Sequence, residues 1–345
     1  MKVSKKALLA VIAALVAVSM VAPGCASQAA PSDGGSAAAT TEIKIGIGAP
    51  LTAGAVALGE GMQRGAELAI AQANEREDVK AAGLKFVGVP GDDQGDPKTG
   101  VTVANTFASD PNLVGVMGHL NSGVSIPSSK VYNQNKIVQI SPASTNPALT
   151  LQGLNNVFRV CTIDSVQGPV GADKALELGL KTAVIVDDST PYGEGLASEF
   201  AKEFAAKGGK VLYTAKTTDK ETDFKALVTK TQSLNPQVVY YGGIYNAGAL
   251  FAKQLRDAGV KAPFMGGDGL YDAEFIKLAG AAQAEGDYCT SVGLPIDQLP
   301  KGTEFKAAYE KQFPGKEIAA YDAYAYDATN VIIDAVVKAA GEVTA

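Results

Sequence analysis

Two doubly wound α/β lobes, each built on a parallel sheet, are what this sequence predicts. Three observations carry the prediction. Short apolar runs alternate with amphipathic helical stripes along most of the chain. The alternation halts after residue 140 and restarts near residue 183. The length of 345 residues suits two domains at roughly 150 residues each.

The elements follow in order. Residues 43–47 (Ile-Lys-Ile-Gly-Ile) alternate with the period of a strand. Residues 59–74 place Met62, Ala66, Ala69, Ile70 and Ala73 on one helical stripe. A strand is read at 84–89, and a helix at 97–109 that starts on Asp96-Pro97. A buried strand at 113–117, a helix at 122–134 and a strand at 137–140 complete the first series. The second series reads strand 183–186, helix 192–206, strand 210–214, helix 221–233, strand 238–241, helix 246–258 and strand 263–265, and a last helix covers 320–340. Strands separated by helices imply βαβ units with right-handed crossovers.

Upstream of the first strand lies an address. Lys2, Lys5 and Lys6 precede an apolar run from Ala7 to Ala22 that is too short for a membrane span and fits a secretory leader. Pro23-Gly24-Cys25 follows. A small residue before Cys at the end of such a run resembles a bacterial lipobox, so Cys25 is the expected lipidation site and residues 1–24 the leader. Residues 25–41, rich in Ala, Ser, Gly and Thr, read as a flexible tether. The expected location is outside the cytoplasm, with the chain attached to the membrane through lipid. Losing the leader removes three lysines and no acid, so no polybasic patch assists that attachment.

Composition excludes several function classes. The formal net charge is −6, which disfavours binding to nucleic acid through its phosphates. A single histidine, His119, leaves little for histidine metal sites or Ser–His catalysis. No cofactor and no metal are expected. Asp92 and Asp93 read as strand-end solvation, because a calcium loop needs more oxygens at fixed spacing. Gly46-Ile47-Gly48 lacks the third glycine of a dinucleotide fingerprint.

Ligands of doubly wound sheets lie beyond the carboxyl ends of the strands. The turns there are Gly118-His119-Leu120-Asn121-Ser122, Ser141-Pro142-Ala143-Ser144-Thr145, Asp187 to Gly195, Gly242-Gly243-Ile244-Tyr245 and Gly266-Gly267-Asp268-Gly269. They carry hydroxyls, open amides, tyrosines and acids, with no Walker-type loop and no nucleophile beside a base.

These turns, with Asp164-Ser165-Val166-Gln167-Gly168-Pro169, Tyr240-Tyr241-Gly242-Gly243, Phe264-Met265-Gly266 and Asp92-Asp93 before Asp96-Pro97-Lys98, closely resemble the branched-chain amino acid binding proteins of ABC transporters, the leucine/isoleucine/valine-binding family. The likeness runs in order over about residues 42–335. It implies a type I periplasmic binding fold of two lobes joined by hinge strands, residues 42–161 plus 289–345 forming one lobe and 162–288 the other. It implies a non-enzymatic, monomeric protein that captures a free amino acid, branched-chain or aliphatic, for an ABC permease.

Chemistry and resemblance converge on the site residues. Ser122 opens a helix whose first amides favour an anion. Ala143 offers backbone and Thr145 a hydroxyl, and in the family the matching positions hold the carboxylate and part of the ammonium. Asp268 matches the family's ammonium-binding acid, which is Glu in its best-known members. Tyr192 and Tyr245 are expected to complete the site from the second lobe. The plainer readings are an N-cap for Ser122, a turn hydroxyl for Thr145, a solvated turn acid for Asp268 and a structural role for His119.

Leu58 and Ile244 stand where the best-known members carry tyrosines, and Gly95 and Asn121 where they carry a cysteine pair. Cys161 and Cys289 fall on two inter-lobe connections and are read as a possible disulfide. The family continues for some tens of residues past the last helix, so the end at Ala345 reads as a short C-terminus. A ligand-sensing module of the same fold, for an amide or another amino acid, is the alternative reading.

Overall fold

The computed structural model describes residues 40–344. The leader, Cys25 and nearly all of the tether lie outside the described residues.

The first lobe is built on β1 (Thr41–Ala49), β2 (Leu84–Asp92), β3 (Leu113–Gly118), β4 (Val138–Ser141) and β5 (Val157–Arg159), in the order β2-β1-β3-β4-β5. Every pair is parallel. Its helices include α1 (Val56–Glu75), α2 (Glu77–Ala81), α3 (Pro97–Ala108), α4 (Ser122–Gln134) and α5 (Ala148–Leu151). β1 carries the strand alternation in side-chain size, yet Gly46 and Gly48 beside its isoleucines are buried too. Helices cover both faces, as an all-parallel sheet requires.

The second lobe opens with α6 (Asp164–Glu177) and continues with β6 (Thr182–Asp187), α7 (Pro191–Ala206), β7 (Lys210–Lys216), α8 (Lys225–Leu234), β8 (Val238–Gly242), α9 (Tyr245–Asp257), β9 (Phe264–Gly266), a 3₁₀ turn (Asp268–Leu270), α10 (Ala273–Ala279), α11 (Ala281–Ala284) and β10 (Tyr288–Cys289). Its parallel order is β10-β9-β8-β6-β7. The chain then returns through α12 (Gly302–Gln312) to α13 (Asp322–Thr344), which packs on α1 and behind β3 and β4. Gly115 of β3 permits this: a Cβ there would lie 3.0 Å from Ile332 of α13.

The strand order of each sheet reverses between its first strand and the strand two steps later in sequence, β1/β3 in one lobe and β6/β8 in the other. The loops leaving those strands flank a crevice. This places the residues after β1, β3, β6 and β8 around one gap.

Some boundaries differ from the sequence reading. β5 and α6 lie between the two series read from sequence, and Gly168 and Pro169 both sit inside α6. α8 starts at Lys225, four residues later than expected. Asp223, just before it, accepts a hydrogen bond from the Lys225 amide, as a turn residue does.

The expected disulfide is not formed: Cys161 and Cys289 are free thiols. Register explains this. The two inter-lobe crossings run in opposite directions, and the Thr162 amide donates to the Val292 carbonyl at 3.3 Å. Gly293 then falls opposite Cys161, and Cys289 lies four residues further along. At ~3.3 Å per residue that offset is roughly 13 Å, whereas a bridge needs Cα atoms within about 7 Å. The Cys161 thiol instead points at the Ser144 carbonyl, 3.7 Å away.

Candidate functional site

The lobes meet around a small cavity of ≈ 20 Å³, room for about one water. Leu58, Leu120, Asn121, Ser122 and Ala143 line it from the first lobe, and Tyr192, Ile244, Asp268 and Gly269 from the second. Tyr321, just before α13, closes it. Of the residues proposed from sequence, Ser122, Ala143, Tyr192 and Asp268 share this one space.

On the first lobe the helix start is the decisive feature. Asn121 occupies the cap position and makes no side-chain cap bond; Ser122 is the first helical residue. The Ser122 hydroxyl accepts the Asn146 amide at 3.2 Å, tying the turn after β3 to the turn after β4. Asn121 and Ser122 line the gap, so the positive end of the α4 dipole borders it.

Beneath these turns lies a buried scaffold. His119 Nδ1 pairs with Asp93 Oδ2 at 2.7 Å and Nε2 with the Tyr132 hydroxyl at 2.8 Å. All three side chains are fully buried. The solvated strand-end reading of Asp93 is thus corrected: its partner is His119, and burial rather than hydration surrounds it. The His119 carbonyl collects the hydroxyls of Ser141 and Ser144 at 2.8 and 3.1 Å, which shapes the 141–145 turn.

On the second lobe, Asp268 is 2% exposed. Its Oδ1 accepts Gln167 Nε2 at 2.8 Å and the Tyr192 hydroxyl at 2.9 Å. Its Oδ2 accepts the Tyr321 hydroxyl from the opposite lobe. Tyr192 in turn accepts the Gly269 amide at 2.9 Å. A Cβ at Gly267 would sit 2.6 Å from the Tyr192 oxygen, so glycine there lets the phenol reach the acid. Burial pushes the Asp268 carboxyl above its usual range, while the hydroxyls of Tyr321 and Tyr192 and the Gln167 amide pull it back. The solvated-acid reading does not fit this residue.

Thr145 and Tyr245 sit differently. Thr145 is fully buried behind the cavity wall and its hydroxyl has no partner. Tyr245, the first residue of α9, turns its hydroxyl toward the Ala57 amide at 3.4 Å, bridging the lobes beside the cavity. Ile244 lines the space instead. Sequence reasoning missed Tyr321, Gln167 and Asp164. Gln167 and Asp164 belong to a run already singled out, but nothing in that run says that Gln167 reaches the acid or that Asp164 is buried.

A larger groove of ≈ 1030 Å³ opens between α1, α10 and α12. Several of its charged side chains are engaged: Arg64 with the Tyr309 hydroxyl, Lys277 with Glu274 and Lys306 with Asp297. Among the described residues no cluster of three His, Cys, Asp or Glu side chains is placed to hold a metal.

The periplasmic binding protein family matches residues 42–345. A Leu/Ile/Val-binding protein homologue of Brucella abortus is 40% identical over 92% of this chain and 83% of its own length. An amino acid binding protein of Pseudomonas aeruginosa is 34% identical over 84% and 76%. Among solved structures, a leucine binding protein from Thermotoga maritima superposes with a TM-score of 0.79 at 28% identity, covering 87% of this chain and 86% of that one. A branched-chain amino acid transporter substrate binding protein from Streptococcus pneumoniae, in complex with isoleucine, gives 0.76 at 25% identity, with 86% and 84% covered. With a fold of two parallel-sheet lobes and this degree of likeness, the chain belongs to the periplasmic binding proteins, a family of extracytoplasmic solute-binding proteins rather than enzymes, among the Leu/Ile/Val-binding homologues.

Proposed function

We propose that this protein captures a free aliphatic amino acid between its lobes and delivers it to an ABC permease. The observation that carries the reading is the shared cavity: the start of a helix on one wall, a buried acid on the other, and Leu58, Leu120 and Ile244 between them. That is the polarity of a zwitterion with an apolar side chain.

The α-carboxylate meets Ser122 and the first amides of α4, and the Ala143 backbone and Thr145 hydroxyl reach the ammonium. Asp268 is its counter-ion. Of about four acceptor positions on a carboxylate, three are taken by Gln167, Tyr192 and Tyr321, which leaves one on Oδ2. Charge-assisted bonds of about 1.5–3 kcal/mol each are enough for micromolar affinity, about −8 kcal/mol. Tyr192 holds the acid in position, and Tyr245 bridges the rim.

No bond of the ligand is made or broken. Closure is a hinge motion about the two crossings, favoured by contacts the ligand makes only when both lobes touch it. Lipid attachment at Cys25 keeps the monomer beside its permease. Calorimetry with the common amino acids tests the reading: leucine, isoleucine or valine should bind at micromolar concentration or tighter, and no heat with any amino acid would end it.

A further inference from the structure

Asp164 is the least explained group in the molecule. It is the first residue of α6, fully buried, and neither carboxylate oxygen has a hydrogen-bond partner. Buried acids without donors are rare, because desolvation is then uncompensated. Its own amide donates to the Thr145 carbonyl at 3.0 Å, so the two residues are held together across the lobe junction. The Thr145 hydroxyl is buried and unpartnered as well. A Cβ at Gly195 of α7 would lie 3.0 Å from Asp164 Oδ2 and 2.9 Å from Asn146 Nδ2, so α7 closes over the pair.

The charges around it do not balance. Arg159 faces it from β5, with Nη1 and Nη2 turned to the carbonyls of Ser144 and Asn146 and a buried Nε that has no partner. Glu199 on α7 and Asp268 after β9 add negative potential, with the neutral phenols of Tyr192, Tyr240 and Tyr321 and the Cys161 thiol nearby. Two buried acids stand against one guanidinium. One further positive charge would neutralise the group.

We propose that Asp164 is a positioning residue of the ammonium subsite: its carboxylate accepts a hydrogen bond from the Thr145 hydroxyl when a ligand binds, turning the lone pairs of that oxygen toward the ammonium. This rests on the amino-acid reading above. Burial, with the nearby charges of Asp268 and Glu199, pushes the Asp164 carboxyl up to about 7 against the pull of the Thr145 hydroxyl and Arg159. The group is therefore held ready and unsatisfied until a cation arrives.

A double-mutant cycle on the full chain, read by leucine calorimetry, tests this. Asp164→Asn should weaken binding about tenfold with Thr145 present and at most about threefold in the T145V background. An unchanged affinity in Asp164→Asn, or the same tenfold loss in both backgrounds, overturns the proposal. If the T145V protein binds too weakly to titrate, the unliganded thermal midpoint decides. Asp164→Asn leaves it equal or raises it if the acid serves the ligand, and lowers it if the acid serves the framework, which overturns the proposal. Wild-type protein that fails to bind leucine or any other amino acid would sink the amino-acid reading itself, an outcome distinct from an unaffected variant.

Discussion

Two acids, about a hundred residues apart in sequence, are buried at the same junction and treated in opposite ways. Asp268, in the turn after β9, is surrounded by donors from α6, α7 and the approach to α13. Asp164, at the start of α6, has none for its carboxylate. A satisfied buried acid can be part of a rigid framework or a preorganised site. An unsatisfied one is costly to the empty protein and makes sense only if something else completes it. The contrast teaches that preorganisation here is divided: one acid is fixed in advance and the other awaits its partner.

Removing the fixed acid should have the largest effect. Asp268→Ala is expected to lose about 1.5–3 kcal/mol of leucine binding, roughly ten- to a hundredfold; calorimetry showing equal affinity would refute the assignment. Proton linkage comes next. Asp164 titrates near 7 in the unliganded fold, and a cation favours its charged form. Leucine affinity should fall as pH drops from 8 to 5, levelling off at about the tenfold loss that Asp164→Asn itself produces. Asp164→Asn should flatten that profile, and an identical slope in both proteins would erase the difference drawn between the two acids.

Stability carries the opposite sign. An acid whose folded-state pKa is raised costs nothing below its unfolded value near 4 and its full penalty above about 7. The gain in thermal midpoint of Asp164→Asn over wild type, without ligand, should therefore be greatest at pH 8 and vanish toward pH 4. A smaller effect is expected at the phenol shared between lobes. Tyr321→Phe removes one donor from Asp268 Oδ2 and frees that position for an ammonium, so leucine affinity should shift less than about fivefold; a hundredfold change would mean that Tyr321 rather than Asp268 anchors the ligand. Tyr245→Phe, outside the cavity, should change affinity less than about twofold, which isothermal titration resolves.

Much of this was legible before any fold was known. Strand and helix periods at residues 84–134 and 182–216 place the elements to within a few residues, because buried parallel strands and amphipathic helices write distinct patterns. Ser122 was readable as the start of α4, and Asp268 as an acid in an open turn. Asp93 was not: its neighbours look like a solvated strand end, and only the approach of His119 and Tyr132 buries it. The pairing of Cys161 with Cys289 failed for the same reason, since register between two crossings is a property of the assembled hinge.

What the sequence determined by itself is local and periodic: two series of βαβ units, the glycine-rich turns at their strand ends, and the chemistry those turns can offer. What only tertiary structure decided is convergence. Tyr321 reaches Asp268 because α13 packs on α1 in the other lobe, and Asp164 loses its water because α7 closes on it over Gly195. Burial and partnership depend on which surfaces meet in space, and a linear pattern carries no record of that meeting.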